Sequence, residues 1–164
     1  MSQLINRTES RLPNPMTRVP ALADIGAALA KALGSGSVPD TTISFAQLLV
    51  GQRMGSDYLV TLHTAGLRRA GETEERIADV TNWEESALFD EPERVALALA
   101  DALLTPNPDD ARVSDELYAR ASASYDDTSL TTLILGLGQV FFFVPLAVIG
   151  EPLAGKSPAE QWRP

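Results

Sequence analysis

The chain has 164 residues with a formal net charge of −9, one histidine and no cysteine. The lack of cysteine excludes disulfides, thiolate nucleophiles and cysteine-ligated metals, and a single histidine excludes zinc motifs that need two. With 13 basic against 22 acidic residues, the chain lacks the excess of basic residues that is typical of proteins that bind nucleic acids or anionic membranes. The length favours one domain.

Helical segments separated by glycine and proline fill the first half of the chain. Residues 1–20 contain three prolines and predict an irregular arm, with no apolar stretch typical of a secretory signal. Residues 22–33 are rich in alanine and leucine, and Gly34 would end that helix. Gly71 would end a later helix, and Thr73 would cap the one after it. Further helices are predicted to begin near Thr41, to run from about Asp57 to Ala70, and to run from Glu74 to Val80.

The second half continues the helical pattern. Helices are predicted from about Glu91 to Leu104, from Ser114 through Ala121, and from Leu130 to about Val144. Pro106 and Pro108 would close the first of these. No run alternates polar and apolar residues as a half-buried strand would. The sequence therefore predicts an all-α fold of six or seven helices, with an arm (1–20), a helical domain (21–150) and a surface tail (151–164).

The last predicted helix requires a test for a membrane span. Residues 128–150 contain no charged residue, and this length could cross a bilayer. Gln139 interrupts the apolar run, Pro145 would kink it, and no basic cluster flanks it. A central helix that is buried on all sides within a soluble protein is also apolar around its whole circumference. We therefore predict a buried helix rather than a membrane span. With no secretory signal, a cytoplasmic location is expected.

The only histidine, His63, lies on a mainly apolar helical stripe. The stripe also contains Ser56, Leu59, Val60 and Leu67, which share one face at 100° per residue. One interpretation is a buried histidine with a satisfied hydrogen bond, and the other is a general acid or base in an apolar pocket. A direct Ser56–His63 pair is disfavoured, because seven residues of helix separate their backbones by about 10 Å.

Two other patterns bear on chemistry. Acidic pairs such as Glu74–Glu75 are typical of solvated helix starts, so we predict no metal site and no cofactor. The run Phe141–Phe143 fans out over about 200° of a helix, so its three rings cannot all face one core. Core packing, a ligand contact and a subunit contact all remain open for this run.

Several segments resemble the carboxymuconolactone decarboxylase and alkylhydroperoxidase-like family. The clearest are Leu62-His63-Thr64 and Arg68-Arg69-Ala70-Gly71-Glu72-Thr73-Glu74-Glu75-Arg76. The resemblance continues through Trp83-Glu84-Glu85, residues 90–99, 11–15 and 38–42, and covers roughly residues 10–150. It implies an all-α alkylhydroperoxidase-like bundle and a homo-oligomer, often a trimer or a hexamer.

The chain departs from the redox members of that family at the reactive positions. Those members carry Cys-x-x-Cys, a histidine four residues later, and a glutamate twelve residues before the first cysteine. The matching positions here are Ser56, Leu59, His63 and Ser44. Serine has no thiolate chemistry at neutral pH and leucine has none at all. A peroxidase cycle through a disulfide is therefore chemically impossible for this chain alone.

The last helix departs as well. Relatives carry a polar run resembling Ile-Asn-x-Trp-Asn-Arg-Leu-Asn, and residues 138–145 read Gly-Gln-Val-Phe-Phe-Phe-Val-Pro. At several of these positions, side chains that could form hydrogen bonds are replaced by large apolar side chains. Such a change favours a new apolar partner, although a repacked core would look similar.

Two hypotheses follow. The first is an enzyme that acts on a small, largely apolar molecule, with His63 moving a proton in an elimination, isomerisation or cyclisation. Ser44 or Ser56 would orient the imidazole, and the substrate would contact Leu59, Trp83, Gln139, Phe141, Phe142 and Phe143. The second is a non-catalytic oligomeric binding or scaffold protein. A cavity of about 300 Å³ or more beside His63 would count against the second.

Overall fold

A computed structural model describes residues 8–105 and 111–161 of the chain. Within these ranges the secondary structure is entirely helical, which confirms the predicted all-α fold. The elements are α1 (Pro15–Arg18), α2 (Ala21–Leu33), α3 (Asp40–Arg53), α4 (Asp57–Arg69), α5 (Glu74–Asp79), a 3₁₀ turn (Val80–Asn82), α6 (Glu91–Leu104), α7 (Asp115–Ser124), α8 (Asp127–Gly150) and α9 (Pro158–Gln161). The seven helices from α2 to α8 correspond to the six or seven predicted, and the four-residue helices α1 and α9 are additional.

Local side-chain chemistry fixes the helix ends. The Thr73 hydroxyl accepts the backbone N–H of Arg76 at 3.2 Å, as predicted for a cap. Asp90 and Glu93 form a reciprocal capping box at the start of α6, which satisfies two otherwise free backbone donors. Gly71 follows α4 with a φ of 89°, a conformation that glycine adopts without strain. The prolines predicted to close α6 lie outside the described residues, as do the outer ends of the arm and the tail.

Helix α3 forms the centre of the core. It packs against α4, α6 and α8, and its side chains Phe45, Leu48, Leu49 and Val50 are inaccessible to solvent. Two glycines allow close helix approach. A Cβ at Gly51 would lie 3.0 Å from the Leu59 Cβ of α4, and a Cβ at Gly136 would lie 2.7 Å from the Ile43 Cγ2 of α3.

Helix α8 is only partly buried. It is the one helix among the described residues that is long and apolar enough to cross a membrane, and 39% of its most apolar stretch is buried within the protein. The prediction of burial on all sides is therefore wrong. Helices α2, α3 and α7 cover one side. The uncovered side, here called the α8 outer face, presents Ile134, Leu135, Val148 and Ile149.

The described part of the N-terminal arm packs on the end of α8. The Arg11 N–H donates to the Gly150 carbonyl at 2.9 Å, and the Arg11 guanidinium pairs with Glu151 at 3.0 Å. The Asn14 side chain caps α1 by accepting the Met16 N–H at 3.0 Å. The sequence interpretation treated these residues as irregular, although a capping asparagine followed by proline is a helix-start signal. The arm thereby becomes part of a cavity wall.

Candidate functional site

An apolar cavity of about 290 Å³ lies between α1, α2, α3, α4 and α8. It is lined by Pro15, Met16, Leu22, Gln47, Tyr58, Leu59, Leu62, His63, Gln139, Val140, Phe143, Leu146, Ala147 and Pro152. None of these side chains is a carboxylate, an ammonium or a guanidinium. The polar groups in the wall belong to His63, Tyr58, Gln47 and Gln139. Such a site suits a small uncharged ligand.

His63 projects from α4 into this cavity. Its neighbours on the predicted stripe, Leu59 and Leu67, are buried, so the helix presents the imidazole beside the core. In the part of the chain that the structure describes, no side chain or backbone group hydrogen-bonds to this imidazole. Desolvation by burial lowers its pKa from 6.5 to about 4, because a buried imidazolium loses its hydration. The ring is therefore neutral at neutral pH.

Two glutamines connect α3 and α8 in the wall of the cavity. The Gln47 Nε2 donates to the Gly136 carbonyl at 2.8 Å and to the Gln139 Oε1 at 3.0 Å. Gln47 is buried and Gln139 is partly exposed. The sequence interpretation missed Gln47. The available signal was a polar residue set between Ala46 and Leu48 in an otherwise apolar stretch.

Tyr58 completes the polar part of the wall and was also missed. It stands one residue before Leu59 in the first turn of α4. Burial raises the pKa of its hydroxyl, which stays protonated at neutral pH. Tyr58 lies off the predicted His63 stripe, on the helix face that it shares with Leu62, so helical periodicity alone did not single it out.

Comparison with known proteins identifies the family. The model of the carboxymuconolactone decarboxylase family matches residues 20–102. The chain belongs to this family. Its predicted resemblance to carboxymuconolactone decarboxylases and alkylhydroperoxidase-like proteins is thus confirmed. The match ends within α6, so α7 and α8 lie beyond it.

Individual relatives agree with this assignment. The uncharacterized protein YdfG of Bacillus subtilis (strain 168) is 33% identical over 105 residues, which are 63% of this chain and 69% of YdfG. A crystal structure from Agrobacterium tumefaciens, of a protein of unknown function described in relation to the antioxidant defence protein AhpD, has a TM-score of 0.79 at 20% identity. That match covers 91% of this chain and all of the other.

The debrominase Bmp8, crystallised in complex with 2,3,4-tribromopyrrole, has the same fold. Its TM-score is 0.74 at 18% identity, and the match covers 90% of this chain and 79% of that protein. At this identity the likeness shows the fold alone. Both structural matches support an AhpD-like helical bundle.

The structure brings four of the predicted site residues together. His63, Leu59, Gln139 and Phe143 all line the cavity. Leu59 stands where the redox members of the family carry their second cysteine, and it contributes an apolar wall beside His63. The other five predicted residues do not line the cavity.

The two predicted serines do not orient His63. Ser56 is buried at the N-cap of α4, where its hydroxyl accepts the Leu59 N–H at 3.3 Å. This contact stabilises the helix start and commits the hydroxyl to the backbone. Ser44 lies on α3, outside the cavity lining. Each serine thus occupies a family position without taking up a role next to the imidazole.

Trp83 lies elsewhere in the core rather than in the cavity wall. Its indole N–H donates to the Asp101 Oδ2 of α6 at 2.8 Å, and the side chain is buried. Asp101 also accepts from the Arg53 Nε at 3.0 Å. A buried indole needs a hydrogen-bond acceptor, and Asp101 supplies it. This contact gives Trp83 a structural position between the 3₁₀ turn and α6.

The three phenylalanines point in different directions, as the helical fan predicted. Phe143 lines the His63 cavity, whereas Phe141 lines a separate apolar groove between α6, α7 and α8. Phe142 is 44% exposed and lies against the arm and α2. Its ring meets that of Phe143 edge to face at 5.0 Å. One phenylalanine of the run therefore reaches the ligand-sized cavity.

Proposed function

We propose that this chain is a cysteine-independent acid–base enzyme of the carboxymuconolactone decarboxylase family. Its substrate is a small, uncharged, largely apolar molecule, and His63 moves a proton in an elimination, isomerisation or cyclisation. One observation carries the proposal: an imidazole without a hydrogen-bond partner among the described residues opens onto an apolar cavity of about 290 Å³.

His63 acts as a base rather than as an acid in this proposal. With a pKa of about 4, roughly one imidazole in a thousand is protonated at pH 7. The ring therefore offers a lone pair on one nitrogen and an N–H on the other. A catalytic base is most effective when its pKa lies near the operating pH, so His63 is a weak base, and the proton that it removes must be an activated one, such as an O–H or a C–H next to a carbonyl. The substrate is thus expected to carry such a proton.

The absence of charged groups in the described cavity lining supports an uncharged substrate. An anion in this wall would lose its hydration without gaining a cation as partner, which is costly. The tribromopyrrole bound by the debrominase Bmp8 is likewise a small ring compound. An engineered apolar cavity of about 150 Å³ accommodates benzene, so about twice that volume suits two fused rings.

Deuterium exchange into 2-tetralone tests this proposal. This neutral two-ring ketone carries acidic protons next to its carbonyl, and NMR in D₂O measures their replacement. Exchange with the wild type is expected to be faster than exchange in buffer alone. In His63→Gln this rate increase is expected to be at least tenfold smaller, since a positioned base accelerates proton transfer by about 10² to 10⁴. Leu146→Met, which keeps an apolar side chain in the same wall, is the matched control and is expected to retain the exchange.

A second candidate function is a non-catalytic binding protein. The specific observation in its favour is that no carboxylate contacts the imidazole in the described residues, so nothing activates the base. The cavity volume of about 290 Å³ is close to the value of about 300 Å³ that would count against a non-catalytic protein. Binding of 2-tetralone by the wild type without faster exchange would favour it over the enzyme. No binding at all would contradict both.

We also propose that the protein is a cytoplasmic homo-oligomer, a trimer or a hexamer as in the family. The α8 outer face supports this, because an uncovered apolar stripe of this length is typical of a contact surface. The helix is flanked by Asp126, Asp127 and Glu151 rather than by basic residues. Acidic flanks are unfavourable next to anionic lipids, which favours a second copy of the chain over a membrane.

A further inference from the structure

The orientation of the Gln47 amide is fixed by its backbone partner. The Gly136 carbonyl can only accept a hydrogen bond, so the group 2.8 Å from it must be the Gln47 nitrogen. The same nitrogen donates to the Gln139 side chain at 3.0 Å. Both N–H groups of Gln47 are thereby used.

This orientation determines how Gln139 faces the cavity. Since Gln47 donates, the Gln139 oxygen must be turned towards it, and the Gln139 nitrogen carries the two remaining N–H groups. No group in the described ranges accepts from that nitrogen. Among the described residues, the cavity wall therefore holds an unpaired donor on α8, at Gln139, and on α4 it holds the Tyr58 hydroxyl and the lone pair and N–H of the His63 ring. None of these groups is fully buried, since the Gln52 Oε1 is the one completely buried side-chain nitrogen or oxygen without a partner among the described residues. Water can therefore reach these groups in the free protein, and a ligand that displaces this water loses affinity unless it replaces the hydrogen bonds.

We propose that the cavity selects a neutral ring compound with an acidic hydroxyl, of the phenol or enol class. The hydroxyl donates to His63 and accepts from Gln139, and Gln47 is the positioning residue that sets the direction of the Gln139 amide. This inference rests on the proposed function for the identity of the ligand site. It goes further by naming the group that the site recognises.

Other ligand classes leave a wall group unsatisfied. A hydrocarbon pairs neither Gln139 nor His63, and a ketone pairs the glutamine but leaves the histidine lone pair unused. A carboxylate carries a charge that no lining side chain balances. A hydroxyl provides one donor and two acceptor sites, so it offers a matching partner to each of the two residues.

Three two-ring probes separate these contacts. They are 2-naphthol, which donates and accepts, 2-methoxynaphthalene, which only accepts, and naphthalene, which does neither. At neutral pH all three are uncharged, and calorimetry or fluorescence measures their dissociation constants. In the wild type 2-naphthol is expected to bind about tenfold more tightly than 2-methoxynaphthalene, since one hydrogen bond contributes about this factor. The ether is expected to bind more tightly than naphthalene.

Variants assign each preference to its residue. His63→Leu is expected to abolish the preference for naphthol over the ether. Gln139→Met is expected to abolish the preference for the ether over naphthalene, and Gln47→Met to reduce it several-fold because the Gln139 amide loses its fixed direction. Leu146→Val, in the same wall, is expected to weaken the binding of all three probes by the same factor. The ratio of naphthol to ether affinity and the ratio of ether to naphthalene affinity should therefore stay unchanged.

The outcomes separate this inference from the proposed function. Equal affinity of the wild type for 2-naphthol and naphthalene would overturn hydroxyl recognition while leaving the cavity as a ligand site. An ether preference that survives both Gln139→Met and Gln47→Met would overturn the role of the glutamine pair. Failure of every probe to bind would contradict the ligand site itself.

Discussion

The Gln47 amide nitrogen lies 3.0 Å from the Gln139 side-chain oxygen, and this hydrogen bond joins the central helix α3 to α8 in the wall of the His63 cavity. Gly136, where α8 packs tightly against Ile43 of α3, is three residues before Gln139 and also accepts from Gln47. The same helix contact thus brings α8 against the core and orients a polar group in the cavity.

The close approach at Gly136 gives a first prediction. In Gly136→Ala the new Cβ would lie 2.7 Å from the Ile43 Cγ2, so either the Ile43 side chain or α8 must shift. We expect a loss of about 1–3 kcal/mol in the free energy of unfolding, typical of overpacking, measured by urea denaturation. Gly138→Ala is the matched control, because nothing lies within 4 Å of its Cβ position. It should be neutral or stabilising, since alanine favours the helix. Equal effects of the two substitutions would contradict the close contact.

His63 gives a second prediction, on the pH dependence of stability. The folded-state pKa of about 4 lies below the unfolded value of about 6.5, so the unfolded chain binds the proton more readily. The neutral imidazole therefore contributes to the free energy of unfolding in full above pH 6.5. This contribution is lost as the pH falls towards 4, by at most about 3 kcal/mol. His63→Gln lacks this titration. The wild type should therefore lose more stability than the variant between pH 7 and pH 4 in denaturant titrations. Parallel curves would contradict the buried neutral imidazole.

Much of the fold follows from the sequence because the helix signals are local. Thr73 and Gly71 mark helix ends through their own side-chain and backbone chemistry. The position of His63 on an apolar stripe was likewise visible, since helical periodicity alone determines it. The family resemblance then added the bundle in which these helices pack.

The cavity wall was less accessible to sequence reasoning. Gln47 acquires its role from α8, which is 89 residues away at Gly136, and local periodicity carries no information on such pairs. Ser56 was assigned by its family position, whereas its hydroxyl caps α4. The arm was considered irregular, although Pro15 and Met16 form part of the wall. In each case a tertiary contact decides the role of the residue.

A third prediction concerns Trp83. In Trp83→Phe the hydrogen bond from the indole to Asp101 is lost, and the partly buried carboxylate loses one of its donors. We expect a destabilisation of about 1–3 kcal/mol, because the acceptor is charged, in thermal or urea unfolding. The affinity for 2-naphthol should stay within about twofold of the wild type, which is the range of a small energetic change. A large change in the affinity for 2-naphthol without a loss of stability would contradict this account and indicate that Trp83 contacts the ligand.

A fourth prediction concerns the α8 outer face. Ile134 and Ile149 are 55% and 65% exposed, and the double substitution Ile134→Glu with Ile149→Glu places charges on the proposed contact between copies. Light scattering coupled to size exclusion should show a smaller assembly than the wild type. Met54→Glu alters another exposed apolar residue, which lies at the C-cap of α3 and outside the α8 outer face, and should leave the mass unchanged. A monomeric wild type would contradict the proposed homo-oligomer.

The central claim, a neutral and ligand-accessible imidazole, is tested most directly by an NMR titration of His63. Because the chain contains one histidine, its ring resonances need no assignment among several. The structure predicts a pKa close to 4 and a shift of these resonances when 2-naphthol is added at neutral pH. A pKa near 6.5, with resonances that do not respond to the probe, would contradict the account.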